Sequence, residues 1–452
     1  MPPKRPSLPR GDPGRSHRSS GAGGVIVLFR DGAEKGCSSD APAVAGERTR
    51  WHLLWNPAGV ERRGWTMTAR PTRHCLQRTG TILLALSQPD EKGDPVRGHL
   101  SSVLASRDGR TLWLTSDETA SIERLTLAES GTEFGAHVRF DLRPLFDLPG
   151  SGTQEADIEG LALSDEQLWV VGSHSLARRK PEPDTTVEEK LARLEDLKRE
   201  ANRFLLGRLP LAAGGSGGPV PHREVGPLHA ARLAIADKKK KLEKAETRSA
   251  LTSLFAEDVH FGPFLEVPAK ENGFDIEGMV VDGTRVFLGM RGPVLRGWAT
   301  IIEIAVKAPK HGPMEIVPLA SGERYRKHFL DLDGLGVRCL FAHGDDLWIL
   351  AGPTMDLDGP VRLFAWRHAL KSTQEGSSVI ANVDYLGDLP HGDGVDHAEG
   401  MTLVRFPGTR VDRLLVVYDT PKCERLHGAH GVCADLFAVP QTPAQGDKSG
   451  GS

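Results

Sequence analysis

The sequence is defined first by what it lacks. In 452 residues there is no apolar run approaching the roughly 18 residues at which a stretch reads as a membrane-spanning helix, so a membrane span is excluded. There is no basic excess either. The formal net charge is −3, which leaves no overall positive field to collect phosphates and argues against a general nucleic-acid binder. The cysteines (Cys37, Cys75, Cys339, Cys423 and Cys433) are too few and too scattered for a disulfide scaffold and fit a reducing compartment. The chain start lacks the apolar segment of a secretory signal, so a cytoplasmic protein is expected. No Gly-x-Ser-x-Gly elbow, P-loop or strand-borne Gly-x-Gly-x-x-Gly occurs, so the common hydrolase and nucleotide-binding signatures are missing. What is plentiful is turn-forming residues, with 51 Gly and 31 Pro, and these favour a β-rich fold.

The two ends differ from the middle. The opening MPPKRPSLPRGDPGRSHRSSGAGG has almost nothing to bury, and residues 1–75 are expected to be a disordered extension. Met67 offers an alternative translation start within it. The polar tail 441–452 is expected to be disordered as well.

Between residues 76 and 440 one pattern recurs. Second strands read TLWLTSDE (111–118), QLWVVGSH (167–174), RVFLGMRG (285–292), DLWILAGP (346–353) and RLLVVYDT (413–420). Each follows a first strand (LSSVLAS, IEGLALS, IEGMVVD, VRCLFAH, AEGMTLV) and precedes a third (SIERLTL, RFLLGRLPL, TIIEIAV, RLFAWRH, ADLFAVP). A multi-strand unit repeated in register predicts an all-β protein, a β-propeller of five blades, with six as the alternative. HVRFDLRP, HFGPFLEVP, MEIVPLA and VIANVDYLG read as the outer strands of the first four units. The fifth lacks its own, and TILLALS (81–87) is expected to supply it, closing the ring and removing an open sheet edge.

One blade carries a long insertion, about residues 180–255, expected to be helical. Val187, Leu191, Leu194, Leu197, Ala201 and Phe204 follow amphipathic-helix spacing. After GGSGGP (214–219), ARLAIADKKKKLEKAETRSALTSLF reads as a second helix, whose Lys238–Lys241 run reads as a solvated face.

The strongest chemical signal is a carboxylate–glycine motif at the start of three first strands: Asp157-Ile-Glu159-Gly160, Asp275-Ile-Glu277-Gly278 and His397-Ala-Glu399-Gly400. The corresponding positions in the other two repeats hold Ser101 and Arg338. First strands line a propeller axis, so the register predicts a ring of side chains there, with the glycines allowing close backbone approach. Converging carboxylates repel and need protons, cations or arginines beside them. Two readings stand: Asp157, Glu159, Asp275, Glu277 and Glu399 as oxygen ligands for Ca²⁺ or Mg²⁺, or the same residues as a structural ring.

Loops that follow the second strands converge on one propeller face. His174, Arg178, Lys270, Arg291, Arg296 and, in the ring, Arg338 are therefore candidates for holding a small anionic ligand, since the guanidinium fork suits carboxylate or phosphate. The alternative is that the arginines neutralise the ring. Cys423, His427, His430 and Cys433 lie within one hairpin; zinc, a disulfide and an ordinary exposed loop are the three readings of them.

The segments DIEGLALSDEQLWVVGSHS, NRFLLGRLPL, KENGFDIEGMVV and FLGMRGPVLRGWATIIEI, above all RGPVLRGWA, resemble the bacterial family called domain of unknown function 3616, over roughly residues 80–440. More distantly, the DIEG strands are similar to esterase-like and phytase-like propellers. That likeness implies a propeller and divalent-cation-assisted phosphoester or ester hydrolysis. The alternative function is a non-enzymatic ligand- or protein-binding propeller.

Overall fold

A computed structural model describes residues 73–441 except 91, 151, 153, 236–247, 311, 373–375 and 381–382. The expectations of disorder at 1–72 and 442–452 lie outside the described residues, as does the Lys238–Lys241 run.

The chain is a β-propeller built on the repeats. Five first strands, Leu100–Ala105, Ile158–Ser164, Asp275–Asp282, Gly336–His343 and His397–Val404, each neighbour the next, and the last neighbours the first. Each pairs antiparallel with its second strand: Thr111–Ser116, Gln167–Gly172, Arg285–Leu295, Asp346–Gly352 and Arg413–Asp419. Third strands follow at Ser121–Leu127, Leu206–Ala212, Trp298–Lys307, Val361–Trp366 and Gly431–Ala438. The second strands sit between both neighbours of their sheet and between adjacent sheets. They are therefore almost wholly apolar and buried, with Trp113, Phe287, Trp348 and Leu415 at 0% exposure. Packing of these strands forms the core clusters between successive groups.

Closure uses both ends of the described chain. Arg78–Leu84 pairs antiparallel with Gly431–Ala438, so the fourth strand of the last group comes from the start of the described residues. Its Leu83 and Leu84 also run parallel to Glu133 and Phe134 in the first group's outer strand. Just upstream, the Leu76 amide donates to the Asp388 carbonyl, and the Asp388 amide to that of His74.

Three local expectations change. HFGPFLEVP is turns and a short 3-10 helix, Gly262–Phe264, because consecutive tight turns (Gly262 amide to the Asp258 carbonyl, Phe264 amide to that of Phe261) hold it. The outer position of that group is filled by Val220–Pro221 and Ala231–Arg232. In the third group the outer strand is Tyr325–Asp331, with Glu315–Val317 adding only a short flanking pair. Ser378–Ile380 joins that strand in parallel, and Asp384–Leu389 forms the outer strand of the fourth group.

The insertion contains one capped helix, Val187–Glu195. The Thr186 hydroxyl accepts from the Glu189 amide and the Glu189 side chain answers the Thr186 amide. The helix stops at Asp196 rather than running on to Phe204. Leu197–Lys198 pairs as a strand with Ala177–Arg178, and Ala201–Phe204 is a 3-10 turn. Of the second expected helix, Ala231–Arg232 is strand and Ala250–Leu254 is helix. Among the described residues no helix is long and apolar enough to cross a membrane.

Candidate functional site: an axial carboxyl ring

The ring position is a β-bulge in every first strand. Pairing slips between Leu100 and Ser102, Ile158 and Gly160, Ile276 and Gly278, Val337 and Cys339, and Ala398 and Gly400. The skipped residues are Ser101, Glu159, Glu277, Arg338 and Glu399, the positions aligned from sequence. A bulge leaves one residue out of the ladder and re-aims its side chain. The glycine after each glutamate lets the neighbouring first strand approach. A Cβ on Gly278 would lie 2.7 Å from the Leu340 amide nitrogen, and one on Gly400 would lie 2.9 Å from that of Val103. A Cβ on Gly160 would meet the Met279 amide nitrogen at 3.1 Å.

Two arginines clasp one side of the ring. Arg338 Nη1 lies 2.6 Å from Glu399 Oε1 and 3.2 Å from Glu277 Oε2, while its Nη2 donates to the Pro353 carbonyl at 2.8 Å. Arg291 Nη1 lies 2.6 Å from Glu277 Oε1 and 3.9 Å from Asp275, and its Nε donates to the Thr354 carbonyl. Burial opposes the charge on Arg291, but Glu277, Asp275 and Glu399 outweigh it and hold its pKa above the ordinary value. Asp157 is held separately by Arg203 Nη1 at 2.5 Å; Arg203 also touches Glu155 and Glu200.

Among the described residues, Glu159 and Asp117 pair with no arginine, and the carboxyls beside them feel the excess charge. Glu159, 9% exposed, accepts no hydrogen bond from a described residue. Burial, then Asp157, Glu277, Glu399 and Asp117, push its pKa well above the usual range. Asp117 is raised by burial and then by Asp419 and Asp157, and its Oδ1 is buried without a hydrogen-bond partner. Asp275 is raised by burial and Glu277 against the opposing Arg291. Glu399 is pushed up to about 8 by burial and Asp419, with Arg338 opposing.

Toward the rim, Asp419 sits between two histidines, His99 Nδ1 at 3.5 Å and His397 Nδ1 at 3.9 Å. Burial opposes ionisation of Asp419, but the histidines hold its pKa below the carboxylate range. Asp419 in turn raises His99 to about 9 and raises His397. Glu118 and Asp358 flank the outer nitrogens of His99 and His397 at 3.8 and 3.3 Å.

The sequence-derived candidates separate. Asp157, Glu159, Asp275, Glu277, Glu399, Arg291 and Arg338 come together around the axis. His174 is buried against the Phe204 ring, donates from Nδ1 to the Gly172 carbonyl, and is lowered to about 4 by burial. Arg178 pairs with Glu271, Lys270 is exposed on the 3-10 turn Ala269–Glu271, and Arg296 is exposed in the hairpin turn between Leu295 and Trp298. Asp117, Asp419, His99 and Arg203 were not anticipated. Asp117 and Asp419 had a signal, since both end second strands (TLWLTSD, RLLVVYD) in the same register. Arg203 had none, because the insertion delivers it.

Among the described residues, no three His, Cys, Asp or Glu side chains stand together as metal ligands. The donor set, as arranged, does not fit the Ca²⁺ site implied by the phytase-like resemblance, because guanidinium nitrogens already occupy Glu277 and Glu399. Cys423 and Cys433 are free thiols in a hairpin closed by Leu426–His427 against Gly431–Val432. Cys433 lines a cavity of about 280 Å³ with Arg78, Lys422 and Arg425, whose charges Asp435 and Asp396 already hold.

Solved structures resemble this chain at low identity. The β-propeller domain of Cps50 (Swd1) from Myceliophteria thermophila is 12% identical and covers 80% of this chain and 99% of its own, with a TM-score of 0.31. The calcium-binding protein regucalcin from Agrobacterium tumefaciens is 12% identical over 82% and 99%, with a TM-score of 0.29. A putative 6-phosphogluconolactonase from Bacteroides fragilis is 11% identical over 80% and 97%, with a TM-score of 0.30. The comparison with curated proteins finds no match. The family model for the protein of unknown function (DUF3616) matches residues 99–435, the span that holds all five bulges and both ring arginines, and the chain belongs to that family.

Proposed function

We propose that this protein is a ligand-binding propeller in which the arginine-clasped carboxylates are the structural floor of an axial site and the carboxyl–histidine rim is its recognition face. The observation that carries this reading is that Arg291 and Arg338 turn inward onto Glu277 and Glu399, each at 2.6 Å. Buried carboxylates of that kind need cations, and here the chain supplies them. The arginines expected to hold an anionic ligand are thereby engaged, and the carboxyl groups left over favour a ligand that donates hydrogen bonds or carries positive charge.

A second reading rests on Glu159. A buried, unpaired carboxyl with a raised pKa is the chemistry of a general acid, and a hydrolase acting on esters or phosphoesters would use it so. Turnover of aryl ester and aryl phosphate substrates, with millimolar Ca²⁺ and with chelator, separates the readings. The binding reading expects no turnover in either. Turnover that Ca²⁺ raises, chelator abolishes and Glu277→Gln removes would establish the cation-assisted hydrolase. Metal-independent turnover lost in Glu159→Gln would establish the general-acid form.

A further inference from the structure

The axis carries more acid than base. Seven carboxyl groups lie within electrostatic reach of one another around it, against three arginines and two histidines. Even with both histidines charged, acid remains in excess. The excess is localised: Arg203, Arg291 and Arg338 hold Asp157, Glu277 and Glu399, whereas among the described residues Glu159, nine-tenths buried, has no hydrogen-bond donor and Asp117 has a buried oxygen without one. The bulge at Glu159 turns it from the ladder toward the axis, where Asp117 is among the charges that act on it. Among the described residues these vacant acceptors belong to no group of three or more side chains that could hold a metal ion.

Resting on the binding reading above, we propose that the axial site takes an organic polycation of the polyamine class, with a primary ammonium group donating to Glu159 and Asp117 and the remaining charges competing with His99, His397 and Lys92 for the rim carboxylates Asp419, Glu118 and Asp358. An ammonium group carries three N–H donors, and an alkyl spacer places successive ammonium groups at separated acceptors, which a single ion does not. The rim is graded for entry, with side-chain exposure falling from 45% at Asp358 and 39% at Glu118 to 20% at Asp419. Burial and its acidic neighbours raise the pKa of Glu159 and so favour its protonated form in the unliganded protein. Binding transfers that proton to the buffer as the ammonium group takes its place, so affinity weakens as pH falls.

The test is isothermal titration of the whole chain with spermidine near pH 7, in two buffers of different ionisation enthalpy, with Ca²⁺ and inorganic phosphate as separate titrants. The expected result is saturable spermidine binding with proton release. Glu159→Gln and Asp117→Asn, each checked for an unchanged melting transition, should weaken it about tenfold or more, the size of one lost charge-assisted hydrogen bond. No spermidine binding, or binding that neither variant weakens, overturns the proposal. Phosphate binding without spermidine binding overturns it while leaving a binding propeller, whereas Ca²⁺ binding with metal-dependent turnover overturns both it and the binding reading.

Discussion

The two sides of the axial ring answer the same problem differently. On one side, Glu277 and Glu399 share Arg338, and Arg291 adds a second guanidinium. On the other, the bulge in the strand beside that of Glu159 carries Ser101, whose hydroxyl donates to the Ile158 carbonyl and offers no charge. Both sides arise from the same bulge in the same register, so the backbone is not what distinguishes them. The residue type at the bulge decides: Arg338 makes the first side a closed ion-pair lattice, and Ser101 leaves the second open. A closed lattice orients strands, whereas an open carboxyl is a site that a proton or ligand must satisfy.

The largest effect should come from breaking the closed side. Arg338→Met strips the cation from two buried carboxylates, and loss of one partner of a buried pair costs about 3–5 kcal/mol. Denaturant unfolding should report a loss of that size, and a change under 1 kcal/mol would mean that the clasp is idle. Next is the steric basis of the ring. Gly278→Ala puts a methyl group against the Leu340 amide nitrogen, and overpacking of this kind costs roughly 1–3 kcal/mol. Thermal melting should register it, and a neutral result would show that the first strands can move apart.

The raised carboxyls of both sides should appear in pH dependence. The folded-state pKa values of Glu159 and Glu399 lie above their ordinary values, with Glu399 near 8. The stability each contributes is full below its unfolded pKa, near 4.5, and is lost as pH rises through the folded value. Asp419 works in the opposite sense, its contribution being lost on acidification through its depressed value. Melting temperature should therefore fall between about pH 5 and 8, and Glu159→Gln should flatten that decline. An unchanged slope in the variant would place the titration elsewhere. The smallest effect is expected outside the ring: Arg296→Ala, in the exposed hairpin turn, should stay within about 0.5 kcal/mol of the parent in the same unfolding assay.

Much of this architecture was legible in the sequence because the second strands repeat an apolar core around Trp113, Trp169, Phe287, Trp348 and Leu415. The position of the ring was legible for the same reason, down to Arg338 and Ser101 standing in for glutamate. The bulges were not, since a skipped pairing leaves no compositional trace. Nor was Arg203, which reaches Asp157 from an irregular insertion with no repeat to align. The insertion's apolar spacing over 187–204 was read as one helix, but Val187, Leu191 and Leu194 are exposed and pack against nothing that would extend it beyond Glu195. The outer strands were the least legible, because edge positions are filled by whichever segment reaches them, as 220–221 and 231–232 do in the second group.

The central claim is that arginines, and not a metal ion, neutralise Glu277 and Glu399. It is tested most directly by the melting temperature of the whole chain in chelator against that in millimolar Ca²⁺. The arginine-clasped ring predicts equal values. A Ca²⁺-dependent rise that disappears in Glu277→Gln would contradict it, since an ion bound only by the folded state at about 100 times its Kd adds roughly 2.7 kcal/mol.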